Sequence, residues 1–189
     1  MTADDVLTFW FSELTPAQWF RGGEAVDQTI SSRFGPLLEA VAAGQHEDWA
    51  ATAPGRLALV LVQDQFPRNI HRGLPQSFSY DEKALALVLE GLTLEMDEKL
   101  TPRQRAFFYL PLEHSEVLEI QDRSIERYAS LALSVPAPER AEFRNYLDFA
   151  WKHYAIIKRF GRYPHRNDIL GRPSTDEESE FLRQPGSSF

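Results

Sequence analysis

Arg56-Leu57-Ala58-Leu59-Val60-Leu61-Val62-Gln63-Asp64-Gln65 is the stretch on which the fold class turns. Its middle is an unbroken apolar run, which by periodicity alone fits a buried strand as well as a buried helix. No other segment alternates with period two over a convincing length, so a strand here would have no sheet to join. The run is read as a central helix. Counting back from Asp64 by three, four and seven positions lands on Leu61, Val60 and Leu57, which places a carboxylate on the buried face. Near a helix C-terminus, an unpaired buried charge costs roughly several kcal/mol, so a cation has to answer it. Arg68, Arg72, Arg162 and Arg166 are the candidates.

Helical spacing continues on both sides of this run. Thr2 or Asp4 is placed to cap a first helix carrying Val6, Leu7, Trp10 and Phe11, and Thr15-Pro16 opens a short second one. Val26, Ile30, Phe34, Leu37, Leu38 and Val41 recur at three and four until Gly44, with Pro36 expected to kink or split the segment. Asp81 and Thr101-Pro102 mark two further starts, and Pro111 is expected to interrupt the helix that follows Pro102. Val117 to Leu131 outlines another helix, and Phe143, Tyr146, Leu147, Ala150, Tyr154 and Ile157 stripe the longest one, from about Pro138 to Phe160. Ser174 or Thr175 starts the last. The expectation is an all-α chain of about eight or nine helices, mostly in antiparallel pairs, forming one domain over 1–184 with a loose tail at 185–189. Trp10, Trp19, Trp49 and Trp151 are read as core bulk, His153 as a core histidine and Gln121 as a helix-surface amide.

Composition narrows the function classes. A net charge of -8 over 189 residues opposes generic binding to nucleic acid or to an anionic membrane. The absence of cysteine removes disulfides and thiolate chemistry and fits a reducing interior. No positively charged leader or spanning apolar run is visible, which points to the cytoplasm.

Against this acidic background two segments are locally cationic, Asp64-Gln65-Phe66-Pro67-Arg68-Asn69-Ile70-His71-Arg72-Gly73 and Phe160-Gly161-Arg162-Tyr163-Pro164-His165-Arg166-Asn167-Asp168-Ile169-Leu170-Gly171-Arg172. Each runs aromatic, proline, then Arg-Asn and an isoleucine, so they are read as two walls of one polar site. Arg68, Arg72, Arg162, Arg166 and Arg172 outnumber the local acids Asp64 and Asp168, an excess suited to a phosphate or carboxylate ligand, with Asn69 and Asn167 beside it. A third cluster, His114-Ser115-Glu116, follows Pro111 and is expected at a helix entrance, where free N–H groups hold anions. His114 and His165 are the candidate general acid and base, with Asp64 as the third candidate catalytic group. Five neighbouring arginines oppose a divalent cation at His114, Glu116, His165 and Asp64, so neither metal nor cofactor is expected.

Leu61-Val62-Gln63-Asp64-Gln65-Phe66-Pro67-Arg68-Asn69, Tyr109-Leu110-Pro111-Leu112-Glu113-His114-Ser115-Glu116 and the Phe160 to Arg172 segment together resemble the hallmarks of a bacterial family of unknown function, family 924 of the domain-of-unknown-function series. The resemblance runs from Phe9-Trp10-Phe11 to Ser174-Thr175 and implies a tetratricopeptide-like, right-handed helical array. It assigns no activity. Gln63 and Glu113 stand where the family often carries other side chains, which makes them weak site candidates. Three readings follow. The first is a binder of a small anionic molecule, and the second a metal-independent hydrolase or transferase using His114 and His165. The third is a scaffold whose groove takes an acidic peptide terminus.

Overall fold

The computed structural model describes residues 1–188, Arg21 by its backbone only. Phe189, the end of the expected loose tail, lies outside the described residues. Among the described residues there are ten α-helical segments and no strand. The chain folds as two compact units, Met1–Arg72 with Gln76–Pro111, and Gly73–Pro75 with Leu112–Phe189.

In the first unit, helix α1 (Ala3–Thr8) starts at Thr2, whose side chain and that of Asp5 cap one another's backbone N–H groups. Helix α2 (Pro16–Arg21) has Thr15 at its cap, and α3 (Gly23–Ala42) carries the expected buried face from Val26 to Val41. The deciding apolar run is helical. Helix α4 (Ala53–Val60) passes through a π-helical turn, Leu61–Gln65, into α5 (Phe66–Ile70), and counted as one helix these bring the segments to nine. A π turn adds a residue per turn, so the inward face rotates and every residue from Leu61 to Gln65 is buried. Helix α4 packs on α1 and on α6 (Asp81–Thr93), and α5 lies along α3. Helix α7 (Pro102–His114) completes this core with Phe107. Ring centroids of Phe9 and Phe34 lie 4.8 Å apart, those of Phe34 and Phe66 also 4.8 Å, and those of Trp10 and Phe107 5.6 Å. Offset and edge contacts of this kind add to the area they bury.

Gly55 shows how tightly the entrance of α4 is built. A Cβ there would stand 2.3 Å from the Trp49 carbonyl oxygen. Gly55→Ala is therefore expected to destabilise the fold by about 2 kcal/mol through backbone displacement, read as a lower urea midpoint with unchanged slope.

The second unit is built on the pair α8 (Leu118–Ser134) and α9 (Arg140–Phe160), joined by a short turn through Pro136 and Pro138. Tyr128 of α8 stacks on Tyr146 of α9 at 6.3 Å. Gly161 ends α9 in the left-handed region, φ 67°, a conformation glycine adopts without strain. Helix α10 (Asp176–Leu182) follows, with Thr175 and Glu178 forming its capping box. Among the described residues no helix is long and apolar enough to cross a membrane.

Several expectations are corrected. Pro36 does not split α3, which runs from Gly23 to Ala42; it and Ser32, whose carbonyl loses its partner, both face solvent. Pro111 does not interrupt α7, which continues to His114; so near the helix end only one ladder bond is forfeited. His114 therefore closes a helix rather than opening one. Asp81 is the first residue of α6, and Tyr80 holds the cap position. Trp151 is half exposed, at 50%, so it does not supply core. Gln121 is the reverse case, fully buried at 0% exposure rather than a surface amide.

Candidate functional site

Asp64 is buried, as its helical spacing demanded, at 0% exposure. Arg68, one turn on, answers it. Its Nη1 lies 3.4 Å from Asp64 Oδ1 and donates to the Asp64 carbonyl at 2.5 Å. The same guanidinium forks onto Asp81 Oδ1 and Oδ2 at 2.9 and 3.0 Å. Gln65 Nε2 donates to Asp64 Oδ2 at 2.6 Å, and Asn69 Nδ2 to the Gln65 carbonyl at 2.9 Å. Arg72 turns to Asp27 instead, with both contacts at 2.7 Å. It lines a cleft of about 530 Å3 whose other charged residues are Glu24 and Asp27, an acidic lining that disfavours an anion.

In the second unit the Phe160 to Arg172 segment is clamped by acids from outside it. Arg162 forks onto Glu178 at 2.6 and 2.7 Å, and this pair, ahead of the Thr175 N–H, pulls the Glu178 carboxyl down to about 2. Arg172 forks onto Glu116 at 2.7 and 3.0 Å, donates to the Tyr163 carbonyl at 3.1 Å and reaches Asn167 Oδ1 at 3.1 Å. The Tyr163 N–H adds 2.8 Å to Glu116 Oε1. Burial alone would raise the Glu116 carboxyl, but Arg172 and that N–H outweigh it and hold it low. Asn167 is fully buried and donates to Ser174 Oγ at 3.0 Å. Ser115 Oγ accepts the Val117 N–H at 3.2 Å. Asp168 is exposed. The apparent excess of arginine over acid is thus corrected: Arg68, Arg72, Arg162 and Arg172 all have carboxylate partners, most of them supplied by distant parts of this acidic chain.

What the clamp encloses is a cluster of ionisable groups. His153 Nδ1 lies 3.3 Å from Glu113 Oε2, with side-chain exposures of 7% and 3%. The His153 ring is 6.3 Å from that of His114 and 5.7 Å from that of Tyr163, and Tyr163 is 5.5 Å from His165. Arg166, itself buried, lies 4.6 Å over the Tyr163 ring. The Tyr163 hydroxyl donates to the Glu113 carbonyl and accepts from Gln121 Nε2 at 2.9 Å. Gln121 Nε2, with two hydrogens to share among its neighbours, also lies 2.7 Å from each of the carbonyl oxygens of Glu113 and Ser115. Burial, then the neighbouring His114 and Arg166 and to a smaller degree His165, drive His153 down to about 3, with the Phe149 carbonyl opposing. Burial and Arg166 likewise lower His165 to about 4, with Glu116 opposing. Both imidazoles are neutral at physiological pH. Among the described residues no three His, Asp or Glu side chains are grouped to hold a metal ion.

His114 and His165 thus share one cluster, joined by Arg166. Glu113, the weak candidate of the resemblance, stands beside them with the buried His153, Tyr163 and Gln121. The signal for Gln121 was present: with Ser124, Tyr128 and Leu131 it occupies the core stripe of α8 at spacings of three and four.

Residues 6–186 match the family model described as "Bacterial protein of unknown function (DUF924)". A solved structure of the protein of unknown function ATU0120 from Agrobacterium tumefaciens is similar, 34% identical over 96% of each chain with a TM-score of 0.86. No curated protein matches significantly.

Proposed function

The chain belongs to this bacterial family of proteins of unknown function, and we propose that its second unit takes up a small phosphate- or carboxylate-bearing molecule against Arg166, His114 and His165. In this reading the two histidines move its protons. The observation that carries it is the gathering of three histidines and a guanidinium in a largely buried cluster where two of the imidazoles are held neutral. A neutral imidazole offers a donor and an acceptor at once. Burying so many polar groups is costly, and a packed apolar core would serve stability as well. An anion beside Arg166 would also cancel part of the positive charge that depresses the histidines. Their proton affinity would rise toward neutrality, the range in which acid–base transfer is most effective. Hydrolysis or group transfer at the bound phosphoryl or acyl group is the matching reaction class. Arg162, Arg172, Glu116 and Asn167 act as the frame holding the segment, and Asp64 with Arg68 as a clamp within the first unit.

A thermal-shift screen with inorganic phosphate and a panel of phosphorylated and carboxylated metabolites tests this. A ligand at a hundred times its Kd stabilises by about 2.7 kcal/mol, which in a chain of this length raises Tm by about 5–10 °C. The shift is expected in the wild type and in Arg72→Met, and is lost in Arg166→Met and His165→Gln. Equal shifts in wild type and Arg166→Met, or no shift with any anion, would count against the reading.

A further inference from the structure

Away from the histidine cluster, the first unit holds an open cleft of about 530 Å3 walled by Phe20, Gly22, Gly23, Glu24, Asp27 and Arg72. Its charges do not cancel. Arg72 and Asp27 neutralise one another through two contacts of 2.7 Å. Glu24, in the first turn of α3, makes no ion pair among the described residues and accepts a 3.1 Å hydrogen bond from the Gln28 amide. Beside this carboxylate stands an aromatic ring that the core does not take up. Phe20 is 58% exposed, and its ring lies nearly parallel to that of the buried Phe107, with planes 14° apart and centroids at 5.9 Å, a contact that sets the attitude of the exposed ring. Gly23 carries no side chain, and a Cβ there would meet nothing within 4 Å, so that wall is not filled. The lining selects its guest by elimination. An anion is repelled by Glu24. A wholly apolar guest strips water from that carboxylate and gives nothing in return. A bare metal ion finds too few ligands, since no three His, Asp or Glu side chains among the described residues are grouped to hold one. A cation with an apolar body suits both walls, because its charge faces Glu24 and the electron-rich ring while its body covers Phe20. We propose that this cleft is a second binding site, separate from the anion site of the second unit, and that it takes a small organic ammonium ion with an apolar or aromatic body. Its volume lies in the range that small organic ligands fill. Arg72 tempers the site: removing its guanidinium leaves Asp27 as a second carboxylate toward the guest.

Titration of the 15N-labelled full chain with phenethylamine at pH 7, followed by amide NMR, tests this, with phenylacetate at equal concentration and ionic strength as the probe of similar size and opposite charge. Phenethylamine is expected to shift the Gly22 and Gly23 signals saturably, and phenylacetate is expected to leave them in place. Glu24→Gln is expected to weaken phenethylamine binding about tenfold, the usual contribution of a charge-assisted contact. Phe20→Leu keeps apolar bulk without the ring face and is expected to weaken it about threefold. Arg72→Met is expected to tighten it about threefold, because Asp27 then adds its charge. Phe20 and Glu24 are both exposed, and a dispersed spectrum in each variant shows that the fold is kept. Should Phe20→Leu unfold, Glu24→Gln and Arg72→Met decide the matter. Equal shifts with the two probes, a preference for phenylacetate, no saturable shift with phenethylamine, or an affinity unchanged in Glu24→Gln would overturn the proposal.

Discussion

Lowering the pH from 7 to 4.5 is expected to remove about 4 kcal/mol of folding stability, before most carboxylates titrate. His153 and His165 have folded-state values of about 3 and about 4, both below the 6.5 of an unperturbed imidazole. Below that unperturbed value the unfolded chain takes up two protons that the folded chain refuses, so stability is full above it and falls as the solution is acidified. Each group contributes up to about 1.4 kcal/mol per pH unit in this window, and partial exposure of His165 keeps the sum below its ceiling. Urea midpoints at several pH values between 7 and 4.5 measure the slope. His165→Gln is expected to lower it by the share of one group. A flat profile down to pH 5 would mean that the histidines are not held neutral by the fold. The same titration also separates this cluster from Glu178, whose lowered carboxyl gives up its contribution only at more acid pH.

The second large effect is expected at Arg68. Arg68→Met keeps the aliphatic stem but removes the guanidinium that stands 3.4 Å from a fully buried carboxylate and forks onto Asp81. Taking one partner from a buried pair is far costlier than taking one from a surface pair, because the remaining charge is stranded away from water. A loss of about 3 kcal/mol is expected, against less than about 1 kcal/mol for Arg72→Met, whose side chain is largely exposed. Chemical denaturation of the two variants side by side reads the difference. Equal losses would mean that Asp64 does not depend on Arg68, and would return Arg68 to the set of arginines available to a ligand.

How far the sequence carried the fold depended on which signals are local. The helix through Arg56 to Gln65 and the burial of Asp64 follow from spacing and from the lack of any partner strand. The caps at Thr2, Thr15 and Thr175 follow from residue chemistry at helix starts. Proline was over-weighted at Pro36 and Pro111, because its cost depends on whether the carbonyl it strands can reach water or lies at a helix end. The π turn was invisible, since an inserted residue changes no composition and leaves an all-apolar run looking the same. The arginine-rich segments were legible as a polar feature, but counting only nearby acids hid Asp27, Asp81, Glu116 and Glu178, whose approach depends on tertiary structure. His153 is buried on the stripe with Ala150, Ile156 and Ile157, as its spacing implies; what spacing does not show is Glu113 opposite it.

The reading of the second unit as an anion site stands or falls on where an anion settles. A crystal of the full chain soaked in inorganic phosphate is expected to show it bonded to Arg166 and to at least one of His114 and His165, within the segment clamped by Glu116 and Glu178. Phosphate found only on exposed arginines such as Arg72, with the histidine cluster untouched, would contradict the account.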